Sequence, residues 1–154
     1  MRGVKIADLP HHVIENGYFL EIVRLQKNAL VQNFPKFQVQ QISYSTIDPG
    51  IVKAWHLHAK QNDLWFIPQE SQLLVGLADL RSESTTKGNI IKQPLGKAGA
   101  SLVLIPKGVA HGYKNFSNKK SSIIYLADFT YNPKNPDEYR LPWDILGKNF
   151  WAGN

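Results

Sequence analysis

Lys53-Ala54-Trp55-His56-Leu57-His58-Ala59-Lys60-Gln61-Asn62-Asp63 is the stretch on which the reading of the whole chain turns. His56 and His58 alternate with apolar residues, so on a strand both imidazoles point to one face. A carboxylate follows at Asp63, and another histidine comes in Ile105-Pro106-Lys107-Gly108-Val109-Ala110-His111-Gly112. Histidine transfers protons near neutral pH and is the commonest metal ligand. A lone histidine is more often a surface or core residue than a site residue. An alternating pair with a second histidine motif downstream points instead to one site shared by His56 and His111.

On either side of this stretch the chain reads as short strands divided by turns. Gly17–Val23 follows a turn at Glu15-Asn16-Gly17, and Phe37–Ser45 alternates imperfectly, as a bulged strand does. Asp48-Pro49-Gly50 is a turn by its chemistry. Strands are expected at Ile51–Leu57, Asp63–Pro68, Gln72–Asp79, Asn89–Gln93, Ser101–Ile105, Val109–Phe116 and Ser121–Tyr131. Leu25–Pro35 has room for one helical turn, and Pro136–Asn154 alone has extended helical character, with Asn135 as a cap. This pattern predicts an all-β antiparallel sandwich or barrel with a short helical C-terminal tail. The tail's Trp143, Phe150 and Trp151 would serve either as an interface or as a plug at one end of the barrel.

The 154 residues suit a single domain spanning 1–154. An apolar fraction of 43% and a charged fraction of 19% are ordinary for a soluble globular chain. No apolar run approaches the ~20 residues of a membrane helix, and the N-terminus lacks the apolar core of a signal peptide. With no cysteine there is no disulfide or thiolate chemistry, so a cytoplasmic protein is expected. The net charge of +6 includes Lys114, Lys119 and Lys120 around one turn, read as a solvated loop rather than a phosphate site. No helix-turn-helix or RNA-recognition signature accompanies the charge, so no nucleic-acid or membrane partner is expected. An anionic small molecule, such as a nucleotide sugar, suits a basic protein.

Several stretches taken together resemble the dTDP-4-dehydrorhamnose 3,5-epimerase family of cupin-type sugar-nucleotide epimerases. They are Gly17-Tyr18-Phe19-Leu20-Glu21, Gly50-Ile51-Val52-Lys53-Ala54-Trp55-His56, Ala78-Asp79-Leu80-Arg81-Ser82-Glu83-Ser84, Leu104 through Gly112, Tyr125 through Pro133, and Leu141-Pro142-Trp143-Asp144. The resemblance runs from Glu15 to Trp151. It implies a double-stranded β-helix (cupin, jelly-roll) barrel in a two-fold homodimer. It also implies epimerase or isomerase chemistry next to the 4-keto group of a dTDP-hexulose, in dTDP-rhamnose-type sugar and cell-surface polysaccharide biosynthesis, without metal or redox cofactor. By motif position His56 falls on the general base, Tyr125 on the general acid, His111 on a second active-site histidine and Tyr131 on an aromatic near the nucleotide. Lys53, Lys60, Gln61, Asn16 and Ser45 complete the expected substrate-binding set. An imidazole of pKa ~6.5 can take a proton acidified by a ketone, and a phenol of pKa ~10 can return one.

The chain also departs from that family's pattern. Asn16 stands where the family has an arginine on the pyrophosphate. Lys53 replaces another arginine, keeping the charge without the bidentate fork. Asp63 stands in place of the lysine that stabilises the enolate, with Lys60 as the nearby stand-in, and Val75 replaces an aspartate. The family's C-terminal segment, with the aspartate that orients the base, has no counterpart before Asn154, and the sequence names no group in its place.

The same residues also resemble the broader metal-binding cupin pattern. Gly50, His56-Leu57-His58 and Asp63 approximate its first motif, and Pro106-Lys107-Gly108, His111 and Asn115 its second. On that reading His56, His58, Asp63 and His111 would hold a divalent transition metal. Three functions therefore stand open: a metal-free sugar-nucleotide epimerase, a metal-dependent cupin enzyme, and a catalytically inactive sugar-nucleotide binder.

Overall fold

A computed structural model describes residues 1–152. The strands are β1 (Lys5–Asp8), β2 (His12–Ile14), β3 (Gly17–Phe19), β4 (Leu30–Val31), β5 (Phe34–Gln38), β6 (Gln41–Ile47) and β7 (Val52–Leu57). They continue with β8 (Asp63–Ile67), β9 (Leu73–Asp79), β10 (Ile90–Leu95), β11 (Ser101–Ile105), β12 (Val109–Asn115), β13 (Ser121–Ala127) and β14 (Tyr139–Arg140). Two five-stranded sheets form, in the orders β1-β11-β8-β13-β6 and β10-β9-β12-β7-β14. Their strands pair antiparallel throughout, which is the expected all-β jelly roll.

Alternation along the strands sorts side chains into three apolar layers. Between the sheets lie Trp65, Ile67, Leu73, Val75, Leu77, Val103, Ile105 and Ile123. Val75, where the family has an aspartate, is thus a fully buried core residue. The outer face of the first sheet (Leu64, Phe66, Leu102, Leu126) is covered by Val31, Phe34 and Phe37 of the β4–β5 hairpin. The outer face of the second sheet (Trp55, Leu74, Ala78, Ala110) is covered by the C-terminal tail through Trp151, Phe150 and Leu146.

The tail is where the structure departs most from the expected elements. Apart from β14 it is a series of turns, not a helix. Its bonds run from Ile145 to Pro142, Gly147 to Asp144 and Phe150 to Gly147, each one tight turn long. Pro142 cannot donate, and Gly147 takes a φ of +95°, which interrupts a right-handed helix. Nor does the tail plug a barrel end. Trp151 and Phe150 pack against Gly76, whose absent side chain makes the room: a Cβ there would stand 2.7 and 2.8 Å from their ring atoms. Lys114 and Lys92 hold the tail's end by donating to the carbonyls of Trp151 (2.9 Å) and Ala152 (3.0 Å). Lys114 is therefore a clamp rather than part of a solvated loop, while Lys120 pairs with Asp48 at the surface.

Smaller differences have local causes. The strand expected over Gly17–Val23 closes at Phe19, and the region expected as one bulged strand divides into β5 and β6. The single helical turn is a 3-10 turn at Lys27–Ala29.

Candidate active site

A cavity of about 430 Å³ opens between the two sheets. The second sheet contributes Lys53 and His56 from β7 and His111 and Tyr113 from β12, and the first contributes Ser43 and Ser45 from β6, Asp63 and Trp65 from β8 and Tyr125 from β13. His58, just past the end of β7, shares the face of His56 as the alternation predicts. His111 sits directly opposite His56 in the β12–β7 register, with ring centroids 6.3 Å apart. His58 and His111 stack at 5.3 Å.

The expected site residues His56, His111, Tyr125, Lys53, Ser45, Gln61 and Tyr131 all line this cavity. Lys60 and Asn16 do not. Lys60 lies on an exposed turn whose backbone is turned inward instead: the amides of Ala59, Lys60 and Gln61 donate to the Asp137 carboxylate at 3.1, 2.8 and 2.9 Å. Asn16 occupies the exposed turn joining β2 to β3. Of the four residues weighed as a metal shell, His58, Asp63 and His111 come together, their ligand atoms all within 4.8 Å of one another. His56 stands outside that group.

The carboxylate beside His56 is that of Glu138, whose Oε2 lies 3.9 Å from His56 Nδ1. Strand β14 brings it there by pairing with β7, Arg140 opposite His56 and Tyr139 opposite Leu57. Arg140 donates to Glu138 at 2.7 Å and also lines the cavity. Partial burial would raise the Glu138 pKa, but Arg140 and His56 outweigh it and hold the carboxyl below the ordinary glutamate value. In the sequence Asp137, Glu138 and Arg140 fall at the start of the segment expected to be helical. The signal for a strand was present, since Glu138 and Arg140 alternate about Tyr139 shortly after Pro136. Tyr113 and Trp65 were legible too, each two residues beyond a named site residue on the same strand face.

The titratable groups are tuned by burial. Burial lowers the His56 pKa, and Arg140 and His58 add to that against the opposing pull of Glu138 and Asp63. His56 is consequently a neutral imidazole at neutral pH, the form that accepts a proton. Full burial pushes His111 down to about 3, so it stays neutral as well, with Nδ1 donating to the Val109 carbonyl at 3.0 Å. Burial raises the phenols of Tyr125 and Tyr113, which hydrogen-bond to each other, so Tyr125 keeps its proton to give. Burial also raises the Asp63 pKa, against donors from Gln61 at 2.6 Å and Trp65 at 3.3 Å. Lys53 is held over the cavity by Ser45 Oγ at 2.9 Å and the Thr46 carbonyl at 3.1 Å.

The jelly-roll sheets thus enclose a neutral imidazole, a protonated phenol, a lysine and an arginine, groups able to move a proton beside a negative charge. The chain belongs to the dTDP-4-dehydrorhamnose 3,5-epimerase family, whose model matches residues 1–145. It is 44% identical over 142 residues to the spore coat polysaccharide biosynthesis protein SpsL of Bacillus subtilis, covering 92% of this chain and 89% of that one. A probable low-salt glycan biosynthesis epimerase, Agl13 of Haloferax volcanii, is 27% identical over 94% of this chain and 89% of its own. Among solved structures, a dTDP sugar isomerase from Desulfovibrio desulfuricans superposes with a TM-score of 0.80 at 25% identity, over 99% of this chain and 90% of that one. The Legionella pneumophila epimerase RmlC, solved with dTDP-4-keto-L-rhamnose, shares the fold with a TM-score of 0.78 at 20% identity, over 93% and 74% of the two chains.

Proposed function

We propose that the chain epimerises a nucleotide-linked 4-keto-hexose, a dTDP-sugar by family, with His56 as general base and Tyr125 as general acid. The observation that supports this best is their placement: His56 stands on one sheet, Tyr125 on the other, and both line the same cavity. Inverting a carbon requires a proton to leave one face and another to arrive at the opposite face. In the proposed step His56 Nε2 takes the proton from the carbon beside the ketone, since Nδ1 faces Glu138. The C–H electron pair moves into the enolate. The carbon then takes the Tyr125 hydroxyl proton on its other face and the ketone re-forms. Glu138 steadies the imidazolium that forms on His56. His111 serves as a neutral wall beside the base.

Lys53 and Arg140 are the lysine and arginine that line the cavity, and they suit the nucleotide's diphosphate and the developing enolate. They take the part expected of Lys60. Gln61, Ser45 and Tyr131 complete the substrate contacts in this reading. The protein acts as one cupin domain and as a cytoplasmic homodimer. The pairing is supported by Ile42 and Tyr44, exposed on the sheet-edge strand β6, and by Val13 and Phe19, exposed on the β2–β3 hairpin. No helix among the described residues is long and apolar enough to cross a membrane.

Solvent-deuterium uptake into a dTDP-4-keto-hexose, followed by NMR, tests this reading. Uptake above buffer supports it. Sugar nucleotide that binds without any uptake would leave an inactive binder.

A further inference from the structure

Tyr113 is a second phenol in the cavity that the proposed acid–base step leaves without a task. Its ring is buried in the core between the sheets, and its hydroxyl hydrogen-bonds the Tyr125 hydroxyl. The two phenols meet from different sheets, Tyr113 from β12 and Tyr125 from β13. The Trp65 ring stands edge-on to both, with centroids 5.5 and 5.7 Å away. A hydroxyl has one hydrogen to give. If Tyr125 aims its own at the substrate, the hydrogen between the two oxygens belongs to Tyr113. Behind the pair the chain of donors runs on to a cation. Lys53 lies opposite Tyr113 in the β12–β7 register, and its ammonium donates to Ser45 Oγ at 2.9 Å. The Thr46 carbonyl takes the Ser45 hydrogen only at a long 3.5 Å, and the same hydroxyl is within hydrogen-bonding reach of both phenols.

Giving up a proton would leave Tyr125 a phenolate in a partly buried place, and a buried charge is costly unless it is paired. The hydrogen bond between the phenols favours an ionised Tyr113 and opposes an ionised Tyr125, so the Tyr113 oxygen is the better home for the charge. We propose that Tyr113 is a proton-relay residue acting through Tyr125: as Tyr125 gives its proton to the substrate carbon, Tyr113 passes its own to Tyr125. The inference rests on Tyr125 being the acid. The enolate's electron pair forms the new C–H bond and the Tyr125 O–H bond breaks. The Tyr113 O–H bond breaks in turn as a new one forms on Tyr125. The negative charge ends on the Tyr113 oxygen, one hydroxyl away from the Lys53 ammonium. The pair is reset when Ser45 hands its hydrogen to Tyr113 and takes one from Lys53. Lys53 is half-buried at the cavity wall and regains its proton from solvent.

The experiment separates the relay from the acid it serves. Wild-type protein, Tyr113→Phe and Tyr125→Phe are compared on a dTDP-4-keto-hexose in deuterated buffer, with NMR following deuterium uptake and inversion. Tyr113→Phe keeps the ring against Trp65 and loses only the oxygen. Its kcat for inversion should fall about 10–100-fold, less than the ~10²–10⁴-fold of the acid itself. KM and deuterium uptake should stay within about threefold of wild type, because the His56 step does not use Tyr113. Fluorotyrosine in place of Tyr113 keeps the hydroxyl and should keep the wild-type ratio of inversion to uptake. Uptake that falls in step with inversion would make Tyr113 merely structural and overturn the relay. So would inversion by Tyr113→Phe at the wild-type rate. If that happens while Tyr125→Phe loses inversion, the acid stands and only the relay falls. If Tyr125→Phe inverts undiminished, the acid reading falls and takes the relay with it.

Discussion

His56 Nδ1 lies 3.9 Å from Glu138 Oε2, across the junction of β7 and the two-residue strand β14. The sequence puts these residues far apart and in different predicted elements, yet the fold sets the proposed base and a carboxylate side by side. The spacing exceeds a hydrogen bond, so the carboxylate acts on His56 mainly through its charge. Glu138→Gln removes that charge with little change of shape. The expected result is a kcat lower by about 10–100-fold with little change in KM, less than the ~10²–10⁴-fold of a general base itself. Because Glu138 works to raise the His56 pKa, its loss should also move the acid limb of kcat/KM to lower pH. A fall in rate with an unmoved limb would mean that Glu138 is only structural.

The wild-type pH profile follows from the same groups. Burial holds the His56 pKa below its ordinary 6.5, so the imidazole is already neutral at pH 7. kcat/KM should be level through neutrality and fall only below pH 6.5, as His56 takes up a proton. On the alkaline side burial and Tyr113 raise the Tyr125 pKa above its ordinary 10.0, so no second limb should appear below pH 10. An acid limb centred above pH 7 would contradict the assignment.

Gly76→Ala tests how the tail is held. The added Cβ would stand 2.7 to 2.8 Å from Trp151, Phe150 and Trp55. Either the rings shift or the tail lifts, at a cost of about 1–3 kcal/mol. Urea unfolding should show a lower midpoint, and tryptophan emission should move to longer wavelength as Trp151 meets water. Unchanged emission and stability would show that the tail does not pack on this strand.

Much of the barrel was legible because it rests on local rules. Alternation placed His56 and His58 on one face, and Pro-Gly chemistry marked the turn at Asp48-Pro49-Gly50. The proposed acid and base were nameable from motif positions, and both line the cavity. Tertiary choices were not legible. Nothing local says that Glu138 crosses to the edge of β7, because that pairing is made by distant residues. Lys60 looked like a site cation only in one dimension. The Asp137 carboxylate captures the amides on either side of it and fixes the turn with that side chain in solvent. The tail's apolar content suggested a helix, but its aromatic rings needed only a flat glycine surface, and turns deliver them there.

The central claim is that His56 and Tyr125 work from opposite faces of one carbon, and one comparison tests it directly. Wild-type protein, His56→Ala and Tyr125→Phe are each incubated with a dTDP-4-keto-hexose in deuterated buffer, and NMR follows both deuterium uptake and configuration at the exchanging carbon. Wild-type protein should exchange and invert. His56→Ala should do neither. Tyr125→Phe should still exchange, with the starting configuration largely kept. Exchange that survives His56→Ala at the wild-type rate, or inversion that survives Tyr125→Phe undiminished, would contradict the claim.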